Sequence, residues 1–376
     1  MSRIIYGVSG EGSGHSSRAR EMVRHLQERG HEVKIVSYDR GYRNLAADFD
    51  CLQVEGLRII SRNNRVSALG TIWDNLRRGR RAWQRLRELR ALFAGFCPDC
   101  VITDFEPSTA WLARIHKLPL ISLDNQHRMR YMKFDVPGWL RFEQWQTRTI
   151  IRLMIPEPDV ALAITFFRGE VSNDRTFLFA PILRREVCSL QTSPGNFHLV
   201  YMTGRFDSLV ATLKQFPSHR FVVYGYNDHG SSDQDGATNL EYREFSTDGF
   251  LQDLAACQSV IATAGFTLIS EAMHLQKPYL AFPMHGQFEQ KLNALCLERL
   301  GVGMAANTAG SETLAEFFLR MPVLAAKLRE QQSTSQEVSQ DFSQKPPPKD
   351  CCNHEIKAKL DELFDGNMSM LKQLQR

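Results

Sequence analysis

Short apolar or β-branched runs alternate with longer stretches of helical apolar spacing along the whole chain, which predicts βαβ units and parallel sheets. In the first half, strands are expected near residues 3–8, 32–37, 51–55, 100–103, 120–123 and 160–165. The pattern restarts near 197–202, 221–224, 240–243, 259–262 and 279–282. Between the halves, residues 180–195 carry Pro181, Pro194 and Gly195 with little periodicity, so the hinge is placed there. The expected architecture is α/β: two Rossmann-like, doubly wound parallel-sheet domains, residues 1–180 and 181–330, facing a crevice. A Ser-, Gln- and Pro-rich linker follows over 331–350, then a helical tail over 351–376 marked by Ile356, Leu360 and Leu363.

Composition narrows the class. The 376 residues are 43% hydrophobic and 23% charged, which excludes a disordered chain or a fibre. A formal net charge of +4 is too small to predict nucleic acid as a partner. The positive charge is nevertheless concentrated: nine arginines fall between Arg62 and Arg90, opposed there only by Asp74 and Glu88. No apolar run approaches the ~18 to 20 residues of a membrane-spanning helix. The N-terminus enters a strand pattern without a signal peptide, so a cytoplasmic location is expected. Cys97-Pro98-Asp99-Cys100 has CxxC spacing, but no second pair accompanies it, and buried thiols at a helix-to-strand junction are expected.

In an open parallel sheet, ligands bind beyond the carboxyl ends of the strands where strand order reverses, so the residues after each strand are informative. After the first strand comes Ser9-Gly10-Glu11-Gly12-Ser13-Gly14-His15-Ser16-Ser17-Arg18, expected to open a helix over 19–27. Glycines permit a tight turn, and a helix N-terminus offers amides and partial positive charge to a phosphate or carboxylate. A GxGxxG dinucleotide loop would need glycine where His15 stands, and its later acidic residue is ambiguous at Asp39, so a nicotinamide or flavin reading is disfavoured.

Two further loops carry Thr103-Asp104-Phe105-Glu106-Pro107 and Asp124-Asn125-Gln126-His127. His15, Asp104, Glu106, Asp124 and His127 are expected on one rim, as a site that moves a proton requires. Singly, each has a structural alternative as a helix cap or turn. In the second half, Thr203-Gly204-Arg205 and Ala264-Gly265-Phe266-Thr267 are small-residue turns suited to phosphate. Glu271, one helical turn from Thr267, can accept hydrogen bonds from vicinal hydroxyls, and Glu289 with Gln290 at a helix start suits sugar hydroxyls.

At these residues the chain resembles the GT-B glycosyltransferases, in particular the branch that includes MurG. Gly10 to His15 is similar to that branch's GGTGGH segment, and Ala264 to Ala272, with Lys277-Pro278, Pro283 and Glu289-Gln290 to Asn293-Ala294, to its donor signature. A closer likeness is to an uncharacterised branch with GEGxGHxxRA, SYDRGY, TDFEP and DNQH segments, present here at residues 10–19, 37–42, 103–107 and 124–127. The resemblance implies inverting, metal-independent transfer of a hexosyl group from a nucleotide-diphosphate sugar, a UDP-sugar such as UDP-GlcNAc or UDP-hexose, to a glycan, lipid-linked or small-molecule acceptor.

It also implies roles. The second domain holds the donor: Glu271 at the ribose, Thr203, Gly204, Arg205, Ala264, Gly265, Phe266 and Thr267 at the diphosphate, Phe245 and Ser246 at the base, Glu289 and Gln290 at the sugar. Gly10, Glu11, Gly12, Gly14, Asp124, Asn125 and His127 lie on the acceptor side, with His15 the leading general base and Asp104, Glu106 or His127 its alternatives. Glu11 replaces a residue usually neutral in MurG and argues against a lipid diphosphate acceptor. No cofactor is implied, the nucleotide sugar being a substrate, and a metal is expected to be unnecessary because helix N-termini and Arg205 can stabilise the departing diphosphate. Two readings keep the fold and change the chemistry: a UDP-sugar 2-epimerase or hydrolase, and a non-catalytic nucleotide-sugar-binding protein.

Two aromatic and basic stretches remain. Trp73, Leu76, Trp83, Leu86 and Leu89 predict a helix over 72–93 with one apolar face, its arginines either solvated or drawn to an anionic membrane. Residues 139–154 interleave Trp139, Phe142, Trp145, Ile150, Ile151 and Met154 with Arg141, Arg148 and Arg152. That stretch is expected either to pack between domains or to rest on lipid as a peripheral contact.

Overall fold

The computed structural model describes residues 1–56, 61–62, 65–66, 79–193, 195–202, 207–225, 239–244, 246–333 and 353–365. The chain divides into two compact units, Met1–Arg185 with Asp350–Arg376, and Glu186–Lys349. The sequence-predicted linker falls almost wholly outside the described residues.

Unit 1 contains β1 (Arg3–Val8), β2 (Glu32–Ser37), β3 (Cys51–Gln53), β4 (Ser61–Arg62), β5 (Arg65–Val66), β6 (Cys100–Asp104), β7 (Leu120–Asp124), β8 (Val160–Ile164) and β9 (Thr176–Phe179). Seven of these form one sheet in the order β3-β2-β1-β6-β7-β8-β9, parallel throughout, while β4 and β5 make a separate antiparallel ribbon. Strand order therefore reverses between β1 and β6. Every residue of β6, β7 and β8 is buried, as central strands covered on both faces must be. Two of them nevertheless end in a carboxylate, Asp104 and Asp124, at the edge where ligands bind.

Unit 2 repeats the scheme with β10 (Phe197–Tyr201), β11 (Arg220–Tyr224), β12 (Leu240–Arg243), β13 (Ser259–Thr263), β14 (Tyr279–Phe282) and β15 (Gly303–Ala305), in the parallel order β12-β11-β10-β13-β14-β15. Its reversal lies between β10 and β13. Of the strands absent from the sequence-based reading, β4 and β5 are the two-residue strands of the ribbon, and β9 and β15 are sheet edges of four and three residues.

The basic helix spans Gly79–Phe96, and residues 72–78 of the expected span lie outside the described residues. Its buried face is Leu89, Phe93 and Phe96, whereas Trp83 is 64% exposed, so the expected apolar face is corrected at that position. The C-terminal helix His354–Asp365 folds onto unit 1 through buried Ile356, Leu360 and Phe364, one residue past the expected Leu363. His25 Nε2 meets Asp361 Oδ1 at 2.9 Å, and the Asn353 amide bonds both the N–H and the carbonyl of Leu183 at 3.0 Å. Leu360 is fully buried, so Leu360→Ala should lower the unfolding free energy by about 2 to 5 kcal/mol. Urea denaturation of the full chain measures this, and a change below about 1 kcal/mol would mean that the helix is not part of the cooperative unit.

Candidate active site

At the reversal point of unit 1, the register pairs Val8 with Asp104, and the Ser9 N–H donates to the Asp104 carbonyl at 2.9 Å. The loop after β1 is thereby held against the end of β6. Gly10 lies so close to Tyr38 that a Cβ there would strike its backbone carbonyl, and Gly12 turns the chain at φ 75°. The helix begins at Gly14 and runs to Glu28, five residues earlier than the sequence pattern suggests. No side chain caps it and its first turn has no acidic residue, so its free amides and dipole end carry positive potential. Glu11 lies exposed on the loop before it.

The early start places His15 and Arg18 on one helix face, three residues apart, both reaching Asp104. The His15 Nδ1 to Asp104 Oδ1 distance is 2.7 Å, and Arg18 grips the same carboxylate through Nε to Oδ2 and Nη2 to Oδ1, both at 2.6 Å. Arg18 Nη2 also lies 2.7 Å from His15 Nδ1. A ring nitrogen cannot donate to the carboxylate and accept from the guanidinium at once. The Asp104 charge decides it: Nδ1–H donates to Asp104, and Nε2 keeps its lone pair. Asp104 is fully buried, Arg18 is 4% exposed and His15 9%, so only the histidine edge of this group reaches the surface. Burial pulls the Arg18 guanidinium down, yet the charge and hydrogen bonds of Asp104 and the field of Asp124 outweigh it and raise its pKa. Arg18 thus keeps the buried Asp104 compensated, and Asp104 fixes the tautomer in which His15 Nε2 can take a proton.

The other predicted acid–base residues lie deeper. Asp124 accepts from the His127 backbone N–H and from His127 Nδ1, each at 2.7 Å, with both side chains fully buried. Burial raises the Asp124 carboxyl, but His127 and Arg18 overcome that and leave it below the usual carboxylate range. Asn125 is buried beside them. The expected rim of five residues is therefore corrected: His15 borders solvent, while the Asp124–His127 pair is interior. Tyr6 Oη and His127 Nε2 are buried without a hydrogen bond among the described residues.

Glu106 caps the helix Pro107–Ile115, accepting from the Ser108 N–H at 2.9 Å and the Thr109 N–H at 2.7 Å, with the Thr109 hydroxyl as a third donor. Burial pushes its carboxyl up, against those hydrogen bonds. Both oxygens are engaged, which leaves it a capping task. Between Asp104 and Glu106, Phe105 takes a left-handed φ of 55°, a conformation costing of order 1 to 3 kcal/mol that sends the two carboxylates to different neighbours. Sequence reasoning passed over Arg18; its signal was the i, i+3 spacing from His15 on a helix assigned to start too late.

In unit 2, β13 runs into Ala264 and Gly265, and the helix Phe266–His274 starts without a side-chain cap. Buried Asn293 donates to the Ala264 carbonyl at 2.8 Å, and Tyr279 Oη to the Thr263 carbonyl at 2.7 Å, which fixes the turn from two sides. A Cβ on Gly265 would meet nothing within 4 Å, so the space above the turn is open. Thr267 lies on the first helical turn half-buried, and Glu271, one turn on, is 2% exposed. Ser246 caps the helix Thr247–Ala256 through the Gly249 N–H at 3.2 Å. The half-buried Gln290 side chain accepts from the Met284 N–H at 3.0 Å and donates to Gln287 at 2.7 Å, beside half-buried Glu289. Thr203, Gly204, Arg205 and Phe245 lie outside the described residues.

Of the CxxC pair, Cys100 is buried on β6 with its thiol pushed up by burial, whereas Cys97, which closes the preceding helix at φ 47°, is exposed, so the expectation of buried thiols is corrected at that position. Among the described residues no three His, Cys, Asp or Glu side chains are grouped to hold a metal ion.

The family model described as glycosyl transferase family 1 matches residues 2–322. An uncharacterized glycosyltransferase of Methanosarcina acetivorans is 24% identical over 332 residues, 80% of this chain and 84% of the relative. Among solved structures, the kitacinnamycin glycotransferase aligns with a TM-score of 0.62 at 16% identity, covering 88% of this chain and 93% of its own. The spinosyn rhamnosyltransferase SpnG, complexed with thymidine diphosphate, aligns with a TM-score of 0.58 at 15% identity, covering 88% and 95%.

Proposed function

The chain belongs to glycosyl transferase family 1, and from that premise we propose that it transfers a hexosyl group, with inversion, from a nucleotide-diphosphate sugar to an acceptor hydroxyl. The observation that carries this reading is the His15–Asp104–Arg18 group at the reversal point of the first sheet. His15 Nε2 takes the acceptor proton as the oxygen attacks the anomeric carbon, and Asp104 stabilises the imidazolium that forms. The nucleotide diphosphate leaves from the opposite face of the sugar, which gives inversion.

Unit 2 takes the donor in this reading. The uncapped helix start after Gly265 faces the diphosphate with backbone amides, an arrangement that stabilises an anionic leaving group without a metal ion. Glu271 takes the ribose hydroxyls, Ser246 lies at the base, and Glu289 and Gln290 read the sugar. The favoured nucleotide is UDP, and the thymidine diphosphate held by SpnG makes dTDP its rival.

A thermal-shift series with UDP, dTDP, GDP and their hexoses tests the donor. A nucleotide present at about 100 times its dissociation constant should stabilise the fold by about 2.7 kcal/mol. UDP is expected to give the largest shift; a larger shift with dTDP or GDP would reassign the base, and no shift with any would remove the donor reading. Nucleotide release undiminished when every acceptor is withheld would favour the epimerase or hydrolase chemistry.

A further inference from the structure

Each of the four described tryptophans is exposed: Trp83 by 64%, Trp111 by 47%, Trp139 by 69% and Trp145 by 62%. All four belong to unit 1, and three lie on helices of one layer. Leu89, Phe93 and Phe96 of the helix Gly79–Phe96, Ala110, Leu112 and Ala113 of the helix Pro107–Ile115, and Ile155 just beyond the helix Arg141–Met154 share a single buried cluster against the sheet. The outer side of that layer carries the tryptophans. Trp111 Nε1 donates to the Met154 carbonyl at 3.1 Å, placing its ring beside Leu153, and Phe142 stacks on Trp145 at 5.9 Å between centroids.

The helix Arg141–Met154 explains the arrangement. Its buried residue is Ile151, whereas Phe142, Trp145 and Leu153 recur at helical spacing on the far side, with Ile150 next to them and Trp139 in the turn before. The five exposed aromatic side chains together present on the order of 600 Å² at about 200 Å² per fully exposed ring system.

Charge identifies the occupant. The helix Arg141–Met154 holds three arginines against one glutamate, and Gly79–Phe96 five against one, in a chain whose overall balance is only +4. Arg141 and Arg152 are exposed around the aromatic row, and the Arg87 guanidinium lies 5.3 Å from the Trp83 ring centroid. Exposed indoles interleaved with guanidiniums suit a headgroup boundary over anionic phosphate. No helix among the described residues is long and apolar enough to cross a membrane, so such contact is with the surface. We propose that this face rests on an anionic phospholipid bilayer, its tryptophans seated at the headgroup boundary and its arginines drawn to the lipid phosphates.

Flotation of the full chain with phosphatidylcholine vesicles, with and without phosphatidylserine, tests this. Binding to the anionic vesicles, a blue shift of tryptophan emission on binding, and about 30-fold weaker partitioning of the Arg141→Gln/Arg152→Gln variant are expected. Trp139→Ser/Trp145→Ser should lose binding to the same vesicles, with melting temperature and nucleotide-induced shift unchanged because both side chains are exposed. Three outcomes would overturn the proposal: partitioning into neither vesicle, equal partitioning into both, or a self-association in solution abolished by the tryptophan substitutions, which would make the face an interface between copies.

Discussion

His15→Ala is expected to lower turnover by about 10³-fold, within the 10² to 10⁴ that a positioned general base contributes. The expectation rests on geometry: the ring is held by Asp104 at 2.7 Å in the tautomer that leaves Nε2 as a base, and it alone of the buried group borders solvent. The donor residues are proposed to lie in unit 2, so the thermal shift induced by the nucleotide should survive the substitution. That separation is the informative part of the experiment. Steady-state release of the nucleotide diphosphate, measured beside the thermal shift, gives both quantities. A loss of turnover that tracked a loss of nucleotide stabilisation would place His15 on the donor phosphates instead, and turnover within a few-fold of the parent would remove it as the base.

Asp104→Asn carries the second large effect, on stability as well as turnover. The Arg18–Asp104 pair is 4% and 0% exposed, and removing the carboxylate charge leaves a buried guanidinium without its main partner. Such losses run to about 3 to 5 kcal/mol, and the lower end is expected because Asp124 still acts on Arg18. The melting temperature should fall by roughly 6 to 12 °C for a unit of this size. Arg18→Met in the same chain removes the stranded charge, so the double variant should recover much of the stability while turnover stays low. Calorimetry of the two single variants and the double variant gives the coupling. Additive losses would show that the two side chains do not act as a pair.

The candidate site was half legible before the fold was known. The Ser9 to Arg18 loop, the TDFEP strand end and the Ala264 to Glu271 turn stand out because glycines and carboxylates interrupt apolar runs at strand ends. Their partnerships were not legible. His15 and Asp104 are 89 residues apart, and the contact depends on the parallel register of β1 against β6, which no local pattern encodes. The same limit separates Glu106 from Asp104: two residues apart, they look equivalent in sequence. The left-handed turn at Phe105 sends one to a helix cap and the other to a histidine.

The sequence alone determined the alternation of strand and helix, the restart at mid-chain and thus the two parallel sheets, because burial on both faces of a central strand demands a continuous apolar run. It also predicted a helix over the basic stretch 72–93 and marked the interleaved aromatic and basic residues of 139–154. Tertiary structure decided which of those residues are covered. Ile151 turns to the interior while Trp139, Phe142 and Trp145 do not. It likewise decided which carboxylate meets which cation, with Arg18 joined to Asp104 and Asp124 closed on His127. Hydropathy is a local property that repeats with the backbone period, whereas burial and charge pairing depend on what the rest of the chain brings alongside.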